Sequence, residues 1–266
     1  MDKLIVIIGV TGAQGGSVAR TFAQLPDWRV RGITRNSSSP AAKKLQEIGV
    51  QIVQGDADDK QSLIDAFVGA HVIFSNADYF AHLFHVLNPA NLPEGQSSWQ
   101  YALRREIEQA INIAEAAETP SVLKTLERFV FSSLVSAKKW SKEKYTKAYH
   151  QEGKEEAPRL SWNLRQQLEI LVNNEYMSFT DFMELWGQHH GVKAGYREIS
   201  TAEMVKDMPE VMATDLGQAY DFSHEFGFTG GDPEVLELEQ IPVKVEVTSM
   251  ADYIKTEDWS QIINAK

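Results

Sequence analysis

Cysteine is absent from the 266-residue sequence, and basic residues are scarce relative to acidic ones. The lack of cysteine excludes disulfides, thiolate nucleophiles and cysteine-ligated zinc, and it fits a reducing compartment. Lys and Arg number 26 against 37 Asp and Glu, which gives a formal net charge of -11. Because this charge repels phosphate groups, we predict no direct binding of nucleic acid and no membrane binding.

Long hydrophobic runs are also lacking. The apolar run Leu4–Ile8 is too short to cross a bilayer, and it has neither the charged start nor the cleavage site of a signal peptide. We therefore predict a cytoplasmic protein, with the nucleus as a second compartment. Hydrophobic residues at 43% and charged residues at 24% are typical of a globular chain.

Apolar runs alternate with helical patterns through the first half of the chain. The predicted strands are Leu4–Ile8, Arg29–Thr34, Gln51–Gln54, His71–Ser75 and Arg128–Ser132. The predicted helices are Val18–Leu25, Ala41–Ile48, Lys60–Phe67 and Trp99–Glu118, with a loop at Ala77–Ser98. Short connections between alternating strands and helices predict an α/β fold with a doubly wound parallel sheet of the Rossmann type.

The pattern changes beyond Trp140, where a strongly charged stretch begins. We predict a smaller, mixed α/β C-terminal region, and hence two domains at residues 1–154 and 155–266. Its predicted elements are helices at Leu160–Val172 and Phe179–Gly187, a strand at Lys193–Ile199 and a helical stretch at Thr201–Phe226.

A glycine-rich loop comes directly after the first predicted strand and opens the first predicted helix. Glycines at this place let the backbone approach a pyrophosphate, while the helix N-terminus offers free N–H groups. The loop therefore predicts dinucleotide binding, although glycines also serve ordinary turns. The predicted contact residues are Gly9, Thr11, Gly12, Ala13, Gln14, Gly15 and Gly16.

Arg35 stands where an NAD-specific protein carries an acidic residue after the second strand. A guanidinium pairs well with a 2′-phosphate, so Arg35 favours NADP(H) over NAD(H), and Lys43 would add a second charge. The alternative is a solvated surface arginine. After the third strand, Asp56 is placed either to accept from an adenine amino group or to cap the helix that begins near Lys60.

These segments resemble the NmrA-like branch of the atypical short-chain dehydrogenases. The resemblance rests on the glycine loop, Thr34-Arg35-Asn36, Gly55–Asp59, Tyr176–Phe179 and Gly227–Pro233, and it covers residues 1–154 and 175–266. It implies a Rossmann domain that binds NADP(H), in a family of redox-sensing regulators and reductases. It also implies cofactor contacts from Arg35, Asp56, Ala57, Asn76, Ala77 and Ser132. Between Lys154 and Tyr176 the chain is shorter than the family pattern implies.

The spacing of Tyr149 and Lys154 does not fit a catalytic Tyr–Lys pair. Tyr149 lies five residues before Lys154, which on a helix leaves the two side chains about 140° apart. His150 and Lys154 have the i, i+4 spacing that shares one face. The resemblance implies that His150 replaces the family's tyrosine and that Lys154 holds the nicotinamide ribose. Ser132 is a third catalytic candidate; the alternatives are a charged, solvated helix and a serine that merely ends a strand.

Three functions remain open at this point. The first is an NADP(H)-binding redox sensor that acts through a regulatory protein partner, with homodimerisation as one means. The second is an NADPH-dependent oxidoreductase acting on a small carbonyl or activated alkene, and the third is a ligand-free scaffold. His82 and His85 have metal-ligand spacing, but no suitably arranged carboxylate accompanies them, so we predict no metal site.

Overall fold

A computed structural model describes residues 2–161 and 168–263 of the chain as two compact units. The first unit comprises residues 1–164 and 208–230, and the second comprises residues 165–207 and 231–266. Compactness therefore groups residues 208–230 with the N-terminal part, whereas a division into domains at residue 154 stays a prediction.

The first unit contains a five-stranded sheet and its flanking helices. Its strands are β1 (Lys3–Ile8), β2 (Trp28–Thr34), β3 (Gln51–Gln54), β4 (Val72–Ser75) and β5 (Arg128–Phe131). Its helices are α1 (Ala13–Ala23), α2 (Pro40–Glu47), α3 (Lys60–Phe67), α4 (Tyr79–Val86), α5 (Ser98–Ala117), α6 (Pro120–Leu123), α7 (Ala137–Trp140), α8 (Tyr149–Ser161) and α11 (Glu210–Phe226).

All five strands are parallel, in the order β3-β2-β1-β4-β5. Alternate residues of β1 enter two separate cores: Leu4 and Val6 pack with α3 and α5, while Ile5 and Ile7 pack with α1 and α2. Burial on both faces explains why this strand is a continuous apolar run. The predicted doubly wound Rossmann-type sheet is confirmed.

The region after β4 differs from the prediction of a loop at Ala77–Ser98. Helix α4 forms there because the Asp78 side chain caps it by accepting from the Ala81 N–H. Tyr79, Leu83 and Val86, spaced four and three residues apart, bury one face of this helix. The prolines of this segment lie beyond the end of α4, where a short 3₁₀ turn forms at Pro89–Asn91.

The second unit combines short helices, two short strands and long stretches without regular structure among its described residues. Its elements are β6 (Glu169–Ile170), α9 (Phe179–His190), α10 (Thr201–Val205), β7 (Val235–Leu236), α12 (Met250–Thr256) and α13 (Ser260–Ile263). Strands β6 and β7 pair in parallel. The predicted strand at Lys193–Ile199 is wrong, since that stretch has no regular structure.

Two predicted helices are also corrected. The predicted helix Leu160–Val172 covers the end of α8 and then β6, so it is wrong over Glu169–Ile170, and its residues 162–167 lie outside the described chain. The stretch Thr201–Phe226 is two helices, because Pro209 lies at the N-cap of α11 and interrupts the helical hydrogen bonding. Among the described helices, none is both long and apolar enough to cross a bilayer.

Candidate functional site

The glycine loop turns sharply where β1 ends and α1 begins. Gly9 has a φ of 66°, in the left-handed region that glycine adopts without strain. A Cβ at Gly15 would lie 2.4 Å from the Gly9 carbonyl oxygen, and one at Gly32 would lie 2.6 Å from Val10. Glycine at these positions therefore lets the first turn of α1 approach β1 and lets the loop lie on β2.

The N-terminus of α1 is open. Its N-cap is Gly12, which is extended and provides no side chain to accept from the first-turn N–H groups. Thr11, Ala13 and Gln14 beside it are all exposed. Uncapped N–H groups and the positive end of the helix dipole make this position suited to a phosphate.

Arg35 and Lys43 are both exposed, Arg35 directly after β2 and Lys43 on α2. Asp56 comes after β3, where its side chain accepts from the Asp58 N–H. The cap of α3 is Asp59, which accepts from the N–H groups of Gln61 and Ser62, so the alternative role of Asp56 as that cap is wrong. Because parallel strands end at the same edge of a sheet, these residues share the edge of the glycine loop.

Residues after β4 connect this edge to α8. The Asn76 side-chain amide donates to Gln14 Oε1 over 3.3 Å, which ties the strand end to the glycine loop. The next residue, Ala77, accepts from Lys154 Nζ over 2.5 Å through its carbonyl oxygen. After β5, Ser132 is half-buried, and the hydroxyl of Ser133 donates to the Lys154 carbonyl oxygen over 2.7 Å. The structure thus brings the glycine loop, Asn76, Ala77 and Lys154 into one connected set.

Lys154 forms an ion pair with a carboxylate that the sequence analysis did not select. Its Nζ lies 2.7 Å from Glu106 Oε1 on α5, and the Glu106 side chain is 0% exposed. The same oxygen accepts from the Tyr79 N–H over 3.1 Å. Burial raises the pKa of Glu106, against the opposing effect of Lys154. Among the described residues, the Ala77 carbonyl and Glu106 take two of the three ammonium N–H bonds of Lys154.

A second pair joins α8 to α11. His150 Nδ1 lies 2.8 Å from Asp215 Oδ1, and the Asp215 side chain is 0% exposed. Tyr149 instead stacks on Trp99 with ring centroids 4.3 Å apart. Helix α8 thus directs Tyr149 to one contact and the His150–Lys154 face to the two buried carboxylates.

Both buried acids lie on an apolar stripe of a helix, which is a signal that the sequence analysis did not use. Glu106 shares a stripe with Ala102, Ala110 and Ile113 on α5, and a charged residue on an apolar stripe is a signal of a buried partner. Gly153 on α8 leaves room for the Glu106 side chain, because a Cβ there would lie 2.2 Å from Glu106 Oε2. Asp215 likewise shares a buried stripe of α11 with Ala219 and Phe222, so it carries the same kind of signal, although its partner lies 65 residues away in sequence.

The two histidines with metal-ligand spacing lie in different surroundings on α4. His82 Nε2 lies 3.0 Å from Gln109 Oε1, and the Gln109 amide donates to Asp58. His85 is exposed on the same helix. Among the described residues, no group of three or more His, Asp or Glu gathers as metal ligands would.

A parallel sheet of this strand order with a glycine loop after its first strand defines an α/β protein of the Rossmann type. A sequence model of the NmrA-like family matches residues 1–159, and the chain belongs to that family.

Individual relatives and solved structures align with this chain over different lengths. The NmrA-like family domain-containing oxidoreductase lnaB of Aspergillus flavus is 50% identical over 74 residues, 28% of this chain and 22% of that relative. A crystal structure of an NmrA mutant aligns with a TM-score of 0.59 at 15% identity, over 98% of this chain and 94% of that one. The NADPH-dependent quinone oxidoreductase of Escherichia coli, complexed with NADPH, aligns with a TM-score of 0.52 at 15% identity, over 98% of this chain and 100% of that one. These structural likenesses show a shared fold.

Proposed function

We propose that this chain binds NADP(H) at the carboxyl edge of its parallel sheet. The observation that carries the proposal is the glycine cradle, where Gly15 approaches Gly9 too closely for any side chain and α1 begins without a cap. A pyrophosphate needs both close backbone approach and unpaired N–H donors. Membership of the NmrA-like family supports the same ligand.

Selectivity for NADP(H) over NAD(H) rests on Arg35. The segment Thr34-Arg35-Asn36 offers a guanidinium, and no carboxylate, where the adenosine ribose would lie. Lys43 adds positive charge on the helix after β2. The quinone oxidoreductase that shares this fold is named as NADPH-dependent.

The proposed contacts divide by the part of the dinucleotide that each would hold. Residues Gly9, Thr11, Gly12, Ala13, Gln14, Gly15 and Gly16 would hold the pyrophosphate, Arg35 and Lys43 the 2′-phosphate, Asp56 and Ala57 the adenine, and Asn76, Ala77 and Lys154 the nicotinamide end. Bound NADPH would supply a hydride. Lys154, fixed by Glu106 and the Ala77 carbonyl, would orient the ribose.

The bound dinucleotide has two candidate uses. Reduction of a small carbonyl or activated alkene is supported by the His150–Lys154 face, with Ser132 as a further polar group, and by the oxidoreductase name of the lnaB relative. Redox sensing through a protein partner or a homodimer is supported by the position of Tyr149, which stacks on Trp99 and so forms no Tyr–Lys catalytic pair.

Calorimetric titration with NADPH and NADH tests the binding of NADP(H), which both candidate uses require. We expect tighter binding of NADPH, and we expect Arg35→Ala to weaken NADPH binding by about 10-fold or more with little change for NADH. Arg29→Ala is the matched control, because Arg29 is exposed at the opposite end of the same strand. Binding of neither dinucleotide by the wild type would overturn the proposal in favour of the ligand-free scaffold.

Turnover separates the two uses. A reductase oxidises NADPH when carbonyls or activated alkenes are supplied. A sensor instead shows an NADP(H)-dependent change in melting temperature or self-association without oxidising NADPH.

A further inference from the structure

His150 presents one ring nitrogen, Nδ1, to a buried acid. Asp215 Oδ1 lies 2.8 Å from His150 Nδ1 and also 3.4 Å from the His150 backbone N–H. A carboxylate only accepts hydrogen bonds, so Nδ1 carries the proton. In the described part of the chain no hydrogen-bond partner meets Nε2, and the side chain keeps 13% exposure.

Two other histidines of the same unit are held in the opposite tautomer. His71 Nδ1 accepts from the Leu4 N–H over 3.1 Å, which leaves its proton on Nε2. His82 directs Nε2 to the amide oxygen of Gln109, which also places the proton on Nε2. The tautomer of His150 is therefore a local effect of Asp215.

The surroundings restrain the His150 ring. Its centroid lies 5.2 Å from that of Phe80 and 6.4 Å from that of Tyr79. Glu106 and Lys154, the charged pair on the same side of α8, neutralise each other at 2.7 Å. Burial raises the pKa of Tyr79 far above its ordinary value, so its phenol stays protonated and does not compete as a base.

We propose that Asp215 is a positioning residue that fixes the His150 tautomer, so that Nε2 is the atom through which this chain exchanges a proton beside Lys154. The proposal deepens the oxidoreductase function proposed above and rests on it. In carbonyl reduction the Nε2–H bond of the imidazolium breaks and an O–H bond forms on the carbonyl oxygen, whose carbon would receive the hydride that NADPH supplies. The imidazole, left neutral with its proton on Nδ1, is reprotonated at Nε2 from water.

Nitrogen NMR of histidine-labelled protein tests the tautomer without any activity measurement. With the His150 signals assigned from His150→Gln, we expect the proton on Nδ1 in the neutral ring, and the reverse for His82 as an internal control. A neutral His150 with its proton on Nε2 would overturn the proposal, whatever the variants do.

Asp215→Asn tests whether loss of the carboxylate changes the His150 tautomer and slows reduction. We expect a population with the proton on Nε2 to appear and kcat for NADPH-dependent reduction to fall about 100-fold or more, with the NADPH dissociation constant unchanged. A normal kcat in folded Asp215→Asn, or no reduction by the wild type with any carbonyl or activated alkene, would overturn the proton-exchange role. If this variant fails to fold, the wild-type tautomer decides. Failure of the wild type to bind NADP(H) is a separate result, which refutes the proposed function while the tautomer can still be measured.

Discussion

The two sides of the candidate site are built in different ways. The glycine-loop side is local in sequence, running from residue 9 to residue 16, and it works because side chains are absent where backbones meet. The helix side brings Glu106 to Lys154 and Asp215 to His150 across 48 and 65 residues, and it works through buried charge. One side depends on close approach, whereas the other depends on paired carboxylates.

This difference implies that the two sides fail differently when altered. A side chain added to the loop meets backbone atoms, which have little freedom to move away. Removal of a carboxylate from the helix side leaves a partner charge with too little water around it.

The largest effect is expected from Glu106→Leu. The substitution leaves the Lys154 ammonium, only 18% exposed, without its carboxylate, and the Tyr79 N–H without its acceptor. We expect the free energy of unfolding in urea to fall by about 3 kcal/mol. Glu108→Leu on the same helix is the control: Glu108 pairs with Arg105 but is 45% exposed, so its loss should cost less than about 1 kcal/mol. Equal losses would mean that burial does not distinguish the two pairs.

Gly15→Ala should have the next largest effect, on the loop side. The added Cβ would lie 2.4 Å from the Gly9 carbonyl oxygen, so α1 must shift away from β1. We expect a loss of about 2 kcal/mol in thermal or urea unfolding, together with weaker NADPH binding in calorimetry. Gly195→Ala provides the control, since a Cβ there meets no atom within 4 Å. Unchanged NADPH affinity in a folded Gly15→Ala variant would argue against the cradle.

The smallest expected effect concerns the pH dependence of stability at His82, a half-buried histidine of α4 outside both sides of the site. Burial lowers the pKa of His82 below its ordinary value of 6.5, so the unfolded chain binds the proton more readily than the folded one. The stability that neutral His82 contributes is therefore present above about pH 6.5 and is lost as pH falls below it. Urea unfolding at several pH values should show a shallower acid loss for His82→Gln than for the wild type.

His85→Gln is the matched control for that measurement, because His85 is exposed on the same helix. We expect its pH dependence to match that of the wild type. Identical curves for the wild type and His82→Gln would show that burial of His82 has no measurable cost.

The sheet could be predicted because its strands are short segments with β-branched or aromatic residues that alternate with helical patterns. Strand β1 is buried on both faces, and the helices after β1, β2 and β3 were predicted within a few residues of their observed bounds, except at the glycine-rich start of α1. Helix α4 was missed because most of its residues are hydrophobic, so no polar face marks the helical period, and prolines come soon after it. The strand predicted at Lys193–Ile199 is the opposite error, an element predicted but not formed. Its residues favour a strand, but in the described structure they pair with no neighbouring strand.

The sequence by itself determined the glycine loop, the residue after β2 and the shared face of His150 and Lys154, since each depends on neighbours a few residues away. Tertiary structure decided which charges meet. Glu106 and Asp215 become partners of Lys154 and His150 only when α5, α8 and α11 pack together, and burial then makes those pairs sensitive to the loss of either member. Long-range pairing of buried groups depends on the folded arrangement of all three helices, and no local pattern encodes it.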